Sequence, residues 1–199
     1  MHILLGGRFQ DQIAITYWTR QPTESKLVAE AHRAQELGFK SLKFKARVGY
    51  PVEKLVSAVV RATPDLTLMV DFDQSYPTVA SFPSVGKRLE QYPNLHIEDP
   101  IPDRGDHVAR LSELSKRVNI PVALTCDDPL SVMEAIRIHA CEIFNFGGSM
   151  RRFVRLAYLA EAAGIPCWHG SGVELGIRDM SFIRAGLPGF WYQWKREFT

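Results

Sequence analysis

At 199 residues, 46% hydrophobic and 23% charged, the chain is long enough for one sizeable core and has the balance of an ordinary globular protein. A formal net charge of +2 gives no electrostatic case for a nucleic-acid or membrane-surface partner, and no apolar run approaches the roughly 18 residues of a membrane span. The three cysteines, Cys126, Cys141 and Cys167, each sit in an apolar strand-like context, which fits free buried thiols of a reducing cytoplasmic compartment better than a disulfide framework. The N-terminal MHILLGGRFQDQ shows no signal-peptide layout.

In chain order the predicted elements alternate. QIAITYW (12–18) reads as a strand, and TESKLVAEAHRAQELG (23–38) as a helix with Glu24 in its first turn, an apolar stripe of Leu27, Ala31 and Ala34, and a stop at Gly38. SLKFKAR (41–47) is the next strand and PVEKLVSAVVRAT (51–63) the next helix. LTLMVDF (66–72) and LHIED (95–99) follow as strands, then the helix VARLSELSKRV (108–118). PVALTCD (121–127) and EIFNF (142–146) are strands, RRFVRLAYLAEAAG (151–164) is a helix, and PCWHG (166–170) is a seventh strand.

Strand followed by helix, with a repeat of roughly 25 residues, predicts a parallel sheet with right-handed crossovers and an α/β barrel of the TIM type. A doubly wound open sheet is the alternative, but no Gly-rich phosphate loop follows the first strand. Seven strands leave a barrel one short, and GLPGFWYQWKREFT (186–199) does not read as an eighth. The expectation is an incomplete (β/α) barrel of about seven units over residues 1–185, with an atypical tail at 186–199.

Within SLKFKAR, Lys43 and Lys45 share one strand face while Leu42, Phe44 and Ala46 share the other. If the apolar face packs on helices, both ammonium groups point inward, and buried cations need anions. Asp71, Glu98 and Asp127 close successive strands, each one βα unit further along, on the barrel face where active sites are built. Three convergent carboxylates would repel one another unless a divalent cation joined them, and all-oxygen ligation favours Mg²⁺. A lone acid after a strand is usually a helix cap, and Asp128 before Pro129 suits that role better than Asp127. His169 ends the seventh strand on the side of Cys167 and is expected across the barrel from Lys45. Two titratable groups facing each other across a metal are what reversible proton transfer at one carbon requires.

These residues resemble the mandelate racemase/muconate lactonizing branch of the enolase superfamily. GFKSLKFK (38–45) is similar to its K-x-K strand, VDFDQSY (70–76) to its first metal-ligand pattern, and IEDPIP (97–102) to its second-ligand strand. ALTCDDP (123–129) stands where the third ligand belongs, AEAAGIPCWHGSGVELGI (160–177) resembles the seventh βα unit, and LLGGRFQDQIAITYW (4–18) the entry into the barrel. The resemblance implies a Mg²⁺ enzyme that removes the proton α to a carboxylate: a sugar-acid dehydratase or a racemase of a sugar acid or 2-hydroxy acid. Lys45 would be the base, Lys43 would tune it, Asp71, Glu98 and Asp127 would hold Mg²⁺, and His169 would be the second acid/base. A homo-oligomer is allowed, and an inert truncated barrel is the alternative.

The chain departs from the pattern in places. Asp73 replaces its asparagine, and C-D-D-P leaves Asp127 or Asp128 as third ligand. The sixth strand carries no lysine; an ungapped count puts Glu142 at that position, whereas a short deletion puts Asn145 near the site, the preferred alignment. The capping domain that normally precedes this barrel is expected to be missing.

Overall fold

The computed structural model describes residues 14–20, 23–170 and 191–195, the last as backbone. The stretches LLGGRFQDQI (4–13) and SGVELGI (171–177), which contributed to the resemblance, lie outside the described residues. The elements run β1 (Ala14–Thr19), α1 (Glu24–Glu36), β2 (Ser41–Lys45), α2 (Val52–Ala62), β3 (Thr67–Asp71) and a 3-10 turn (Val79–Ser81). They continue as α3 (Pro83–Leu89), β4 (Leu95–Glu98), α4 (His107–Ser115), β5 (Val122–Thr125), α5 (Pro129–Ile138), β6 (Ile143–Phe146), α6 (Met150–Ala162), β7 (Cys167–His169) and β8 (Trp191–Lys195). Among the described residues no helix is long and apolar enough to cross a membrane.

Each strand pairs in parallel with the next, and β8 pairs in parallel with both β7 and β1, so the strand order closes on itself. This corrects one expectation: Trp191–Lys195, placed in a non-strand tail, supplies an eighth strand. The backbone reason is simple. Without it, β1 and β7 would each present a row of unpaired N–H and C=O groups, and a Trp/Tyr-rich segment suits a ladder position.

Strand alternation sorts the side chains into two layers. The outer face carries Leu42, Phe44, Leu68, Val70, Ile97, Val122, Leu124, Phe144 and Phe146, all in one buried cluster with Leu27, Ala31 and Ala34 of α1 and Leu55, Val56 and Val59 of α2. Each such side chain, fully buried, contributes roughly 1.5–3 kcal/mol. The helix α1 stops as its sequence foretold: Gly38 takes φ +85°, and Gly38 and Phe39 donate N–H bonds of 2.9 Å to Gln35 and Ala34 carbonyls. A separate cluster, Met69, Ala123, Ile143 and Trp168, fills the inside of the strand ring. Polar residues on that inner side, toward the carboxyl ends of the strands, build the site.

Candidate active site

Lys45 pairs in register with Asp71, and Asp71 with Glu98, so three neighbouring strand ends present their inner side chains at one level. Lys43, one step deeper, is 3% exposed and places its Nζ 2.6 Å from Glu98 Oε2 and 3.1 Å from Asp71 Oδ2. Burial alone would lower its pKa, but the charges of Glu98 and Asp71 and the bonds to them hold it above the ordinary lysine value. Lys43 is therefore an ammonium, placed to neutralise two buried carboxylates. Lys45 is half-buried; its Nζ lies 3.8 Å from Asp71 Oδ2 and donates to Asp73 Oδ1, whose second oxygen accepts from Arg47.

Asp73 reaches the lysine because the chain turns sharply after β3. Asp73 and Gln74 adopt φ +52° and +57°, a region that non-glycine residues rarely occupy and that clusters at functional sites. The Asp73 N–H returns to Asp71 Oδ1 at 2.9 Å. Burial opposes ionisation of Asp73, yet the hydrogen bonds from Lys45 and Arg47 hold its pKa below the usual carboxylate value.

Glu98 is 2% exposed. Its Oε1 accepts from Asn145 Nδ2 at 2.8 Å and from Thr125 Oγ1 at 3.3 Å. Burial, helped by the Asp71 charge, pushes its pKa up against the pull of Lys43. Asn145 thus lies at the site, as the deletion alignment placed it, while Glu142 is exposed and caps the Val122 N–H at 2.8 Å. Asn145 Nδ2 also donates to Thr125 Oγ1 at 3.1 Å, which fixes the orientation of the amide, and its buried Oδ1 has no donor among the described residues. Gly170 allows this arrangement: a Cβ there would come within 2.7 Å of Asn145 Oδ1.

Two expected members are elsewhere. Asp127 lies beyond the end of β5, about half exposed, and its Oδ2 accepts from Arg152 Nη1 at 2.7 Å. The strand stops at Thr125 because Asp128 caps α5, its Oδ2 accepting from the Ser131 N–H and Oγ at 2.8 Å each. The inner position at the end of β5 is Thr125, level with Asn145. His169 is fully buried but faces outward. Trp168 takes the inner position on β7, and the His169 ring meets Phe153 of α6 edge-on, with centroids 4.8 Å apart.

Asp99 was not singled out from the sequence, and it belongs to the site. It has φ +44°, is 7% exposed, and accepts the Thr125 N–H on Oδ1 at 2.8 Å. Burial, then the adjacent Glu98 charge, raises its pKa to about 7. Its unfolded value is near 4, so between about pH 4 and 7 the folded chain holds a proton that the unfolded chain has lost. Stability therefore falls as pH rises through this window, by up to about 1.4 kcal/mol per pH unit from this group. Asp99→Asn, which keeps the acceptor and tolerates the backbone turn, is expected to flatten that fall and raise the melting point at pH 8, measured by thermal unfolding from pH 5 to 8.

Lys43, Lys45, Asp71, Asp73, Glu98, Asp99, Thr125 and Asn145 line one cavity of about 470 Å³. A larger cavity of about 570 Å³ beside it carries Asp127 and Asp128 but none of the lysines. Two carboxylates of hard oxygen fit Mg²⁺, which is commonly bound through one or two carboxylates with water. The unsatisfied Asn145 Oδ1 beside Glu98 fits a cation as well. Among the described residues no three His, Cys, Asp or Glu side chains gather into a metal-holding group, so the fit is that of a two-carboxylate set, with Thr125 where a third carboxylate was expected.

Residues 26–193 match the family described as enolase C-terminal domain-like. N-succinylamino acid racemase of Thermus thermophilus is 32% identical over 177 residues, covering 85% of this chain and 47% of that protein. The 3,6-anhydro-D-galactonate cycloisomerase of Zobellia galactanivorans superposes with a TM-score of 0.87 at 20% identity, over 100% of this chain and 58% of that one. A dipeptide epimerase of Cytophaga hutchinsonii, solved with Mg and the dipeptide D-Ala-L-Val, superposes with a TM-score of 0.82 at 21% identity, over 98% of this chain and 55% of that one. The chain thus spans about half the length of these relatives. The strand order, the K-x-K strand and the acids of β3 and β4 agree with the match: the chain belongs to the enolase superfamily, in its mandelate racemase/muconate lactonizing branch.

Proposed function

We propose that the chain removes the proton α to a carboxylate group, with Lys45 as the base. The observation that carries this reading is the inner face of the barrel mouth, where Lys43, Lys45, Asp71 and Glu98 share one cavity. Removing such a proton leaves negative charge on the carboxylate oxygens, and catalysis consists largely of meeting that charge as it develops. Lys43 supplies one fixed positive charge, held by Glu98 and Asp71. Asp71 and Glu98 would hold Mg²⁺, with Asn145 Oδ1 beside them. Bound there, Mg²⁺ would act as a Lewis acid toward the substrate carboxylate. Lys45 stands at the rim, where its amine can meet the α-carbon once a substrate displaces Asp73.

With His169 turned outward, the chemistry needing fewest groups is abstraction by Lys45 followed by return of that proton to a departing β-hydroxyl, which leaves as water, the dehydratase reaction. The relatives' names favour a second reading. The names N-succinylamino acid racemase and dipeptide epimerase both denote inversion of a carbon centre, which makes racemisation the competing outcome of the same first step. The substrate in either case is a small carboxylate.

The test is proton exchange. The chain is incubated in deuterated water with acid sugars, 2-hydroxy acids and N-acylated amino acids, with Mg²⁺ or with a chelator, and the α-proton signal is followed by NMR. Loss of that signal in Mg²⁺ alone is the expected result. Unchanged spectra across all three substrate classes would defeat the proposal and leave an inert barrel.

A further inference from the structure

Beside the catalytic cavity, and sharing Lys45 and Asp73 with it, lies a smaller one of about 340 Å³ lined also by Arg20, Arg47 and Tyr50. Three cations and one carboxylate leave it with an excess of positive charge. The Arg20 guanidinium lies 5.3 Å from the centre of the Trp18 ring, and Trp18 lines the catalytic cavity. Stacking holds the guanidinium in place while its edge N–H groups stay free to donate. Among the described residues no carboxylate pairs with Arg20. Arg47 gives Nε and Nη2 to Asp73, which orients the fork and leaves Nη1 for a ligand. The opposite side of the mouth carries Asp103, Asp106, Asp127 and Asp128, so an anion meets attraction on one side and repulsion on the other.

We propose that Arg20 and Arg47 form a subsite for a second carboxylate on the substrate. The inference rests on the reading of Lys45 as the base, because Lys45 lines both cavities. It narrows that reading: the substrate is a carbon acid whose reacting carboxylate lies toward Lys43, Asp71 and Glu98 and whose second carboxylate reaches the arginines. A guanidinium pair matches carboxylate geometry better than two lysines would.

Calorimetric titration of the full chain at low ionic strength, with Mg²⁺ present, compares adipate, pimelate and suberate with hexanoate. At least one dicarboxylate is expected to bind about tenfold more tightly than hexanoate, the scale of one charge-assisted contact. In the Arg20→Gln/Arg47→Gln variant that advantage is expected to vanish while hexanoate binding stays as it was. Both side chains are exposed, and an unchanged melting point verifies the fold. Equal binding of mono- and dicarboxylates, no binding of either, or a preference that survives the double substitution would overturn the subsite. Proton exchange is scored separately: a dicarboxylate preference without exchange defeats the base assignment and supports the subsite, whereas exchange without preference defeats the subsite alone.

Discussion

Lys45→Ala is expected to reduce α-proton exchange by about a thousandfold, the middle of the range for losing a positioned general base. The geometry makes this an informative substitution. Lys45 is only half-buried, so its removal leaves no unpaired charge in the interior: Asp73 keeps Arg47, and Asp71 keeps Lys43. Stability should change by less than about 1 kcal/mol, as for other exposed ion pairs. Binding of a carboxylate inhibitor should survive, because Lys43 and the arginines remain. A loss of exchange with binding and melting point intact would locate the defect in the proton-transfer step. Exchange that persisted within tenfold of the parent would mean that another group takes the proton, and the assignment of Lys45 would fall.

The same geometry explains how much of the site could be read in advance. Period-two alternation is a strong constraint, so placing Lys43 and Lys45 on one face needed only the apolar character of Leu42, Phe44 and Ala46. Asp71 and Glu98 followed because each ends its own strand at the same level. Asp127 was misplaced because the end of β5 depends on a competition the pattern does not show: Asp128 caps α5 ahead of Pro129 and so stops the strand at Thr125. His169 was misplaced for a different reason. Alternation says that it shares a side with Cys167, but not which side faces in. That was decided by Trp168, whose large ring fits the interior against Met69, Ala123 and Ile143. Asp73 and Asp99 owe their positions to left-handed backbone turns, which a short polar side chain permits but does not require. The eighth strand escaped notice because its partners, β7 and β1, are set by closure of the ring and not by any neighbouring sequence.

Lys43→Met is expected to be the most destabilising change in the site, costing about 3–5 kcal/mol, the usual penalty for removing one partner of a buried ion pair. At 3% exposure the lysine has no solvent to replace it, and its loss leaves Glu98 with only the neutral Asn145 and Thr125 and Asp71 with only the half-buried Lys45 as a cation, 3.8 Å away. For a chain of this size that cost corresponds to roughly 10 °C or more in melting point. Its pH dependence has a definite sign. Without the ammonium, burial and the neighbouring Asp71 charge raise the Glu98 pKa further above its unfolded value. The folded variant then keeps a proton that the unfolded chain has released, and stability falls as pH rises through the folded value. The melting-point difference from the parent should therefore be largest at pH 8 and shrink toward pH 5. A divalent cation bound by the same carboxylates would replace the lost charge and stabilise by mass action, so millimolar Mg²⁺ should raise the variant's melting point more than the parent's. A variant as stable as the parent at pH 8 would show that Lys43 does not compensate the two acids. An unstable variant indifferent to Mg²⁺ would instead remove Asp71 and Glu98 as a metal-holding pair.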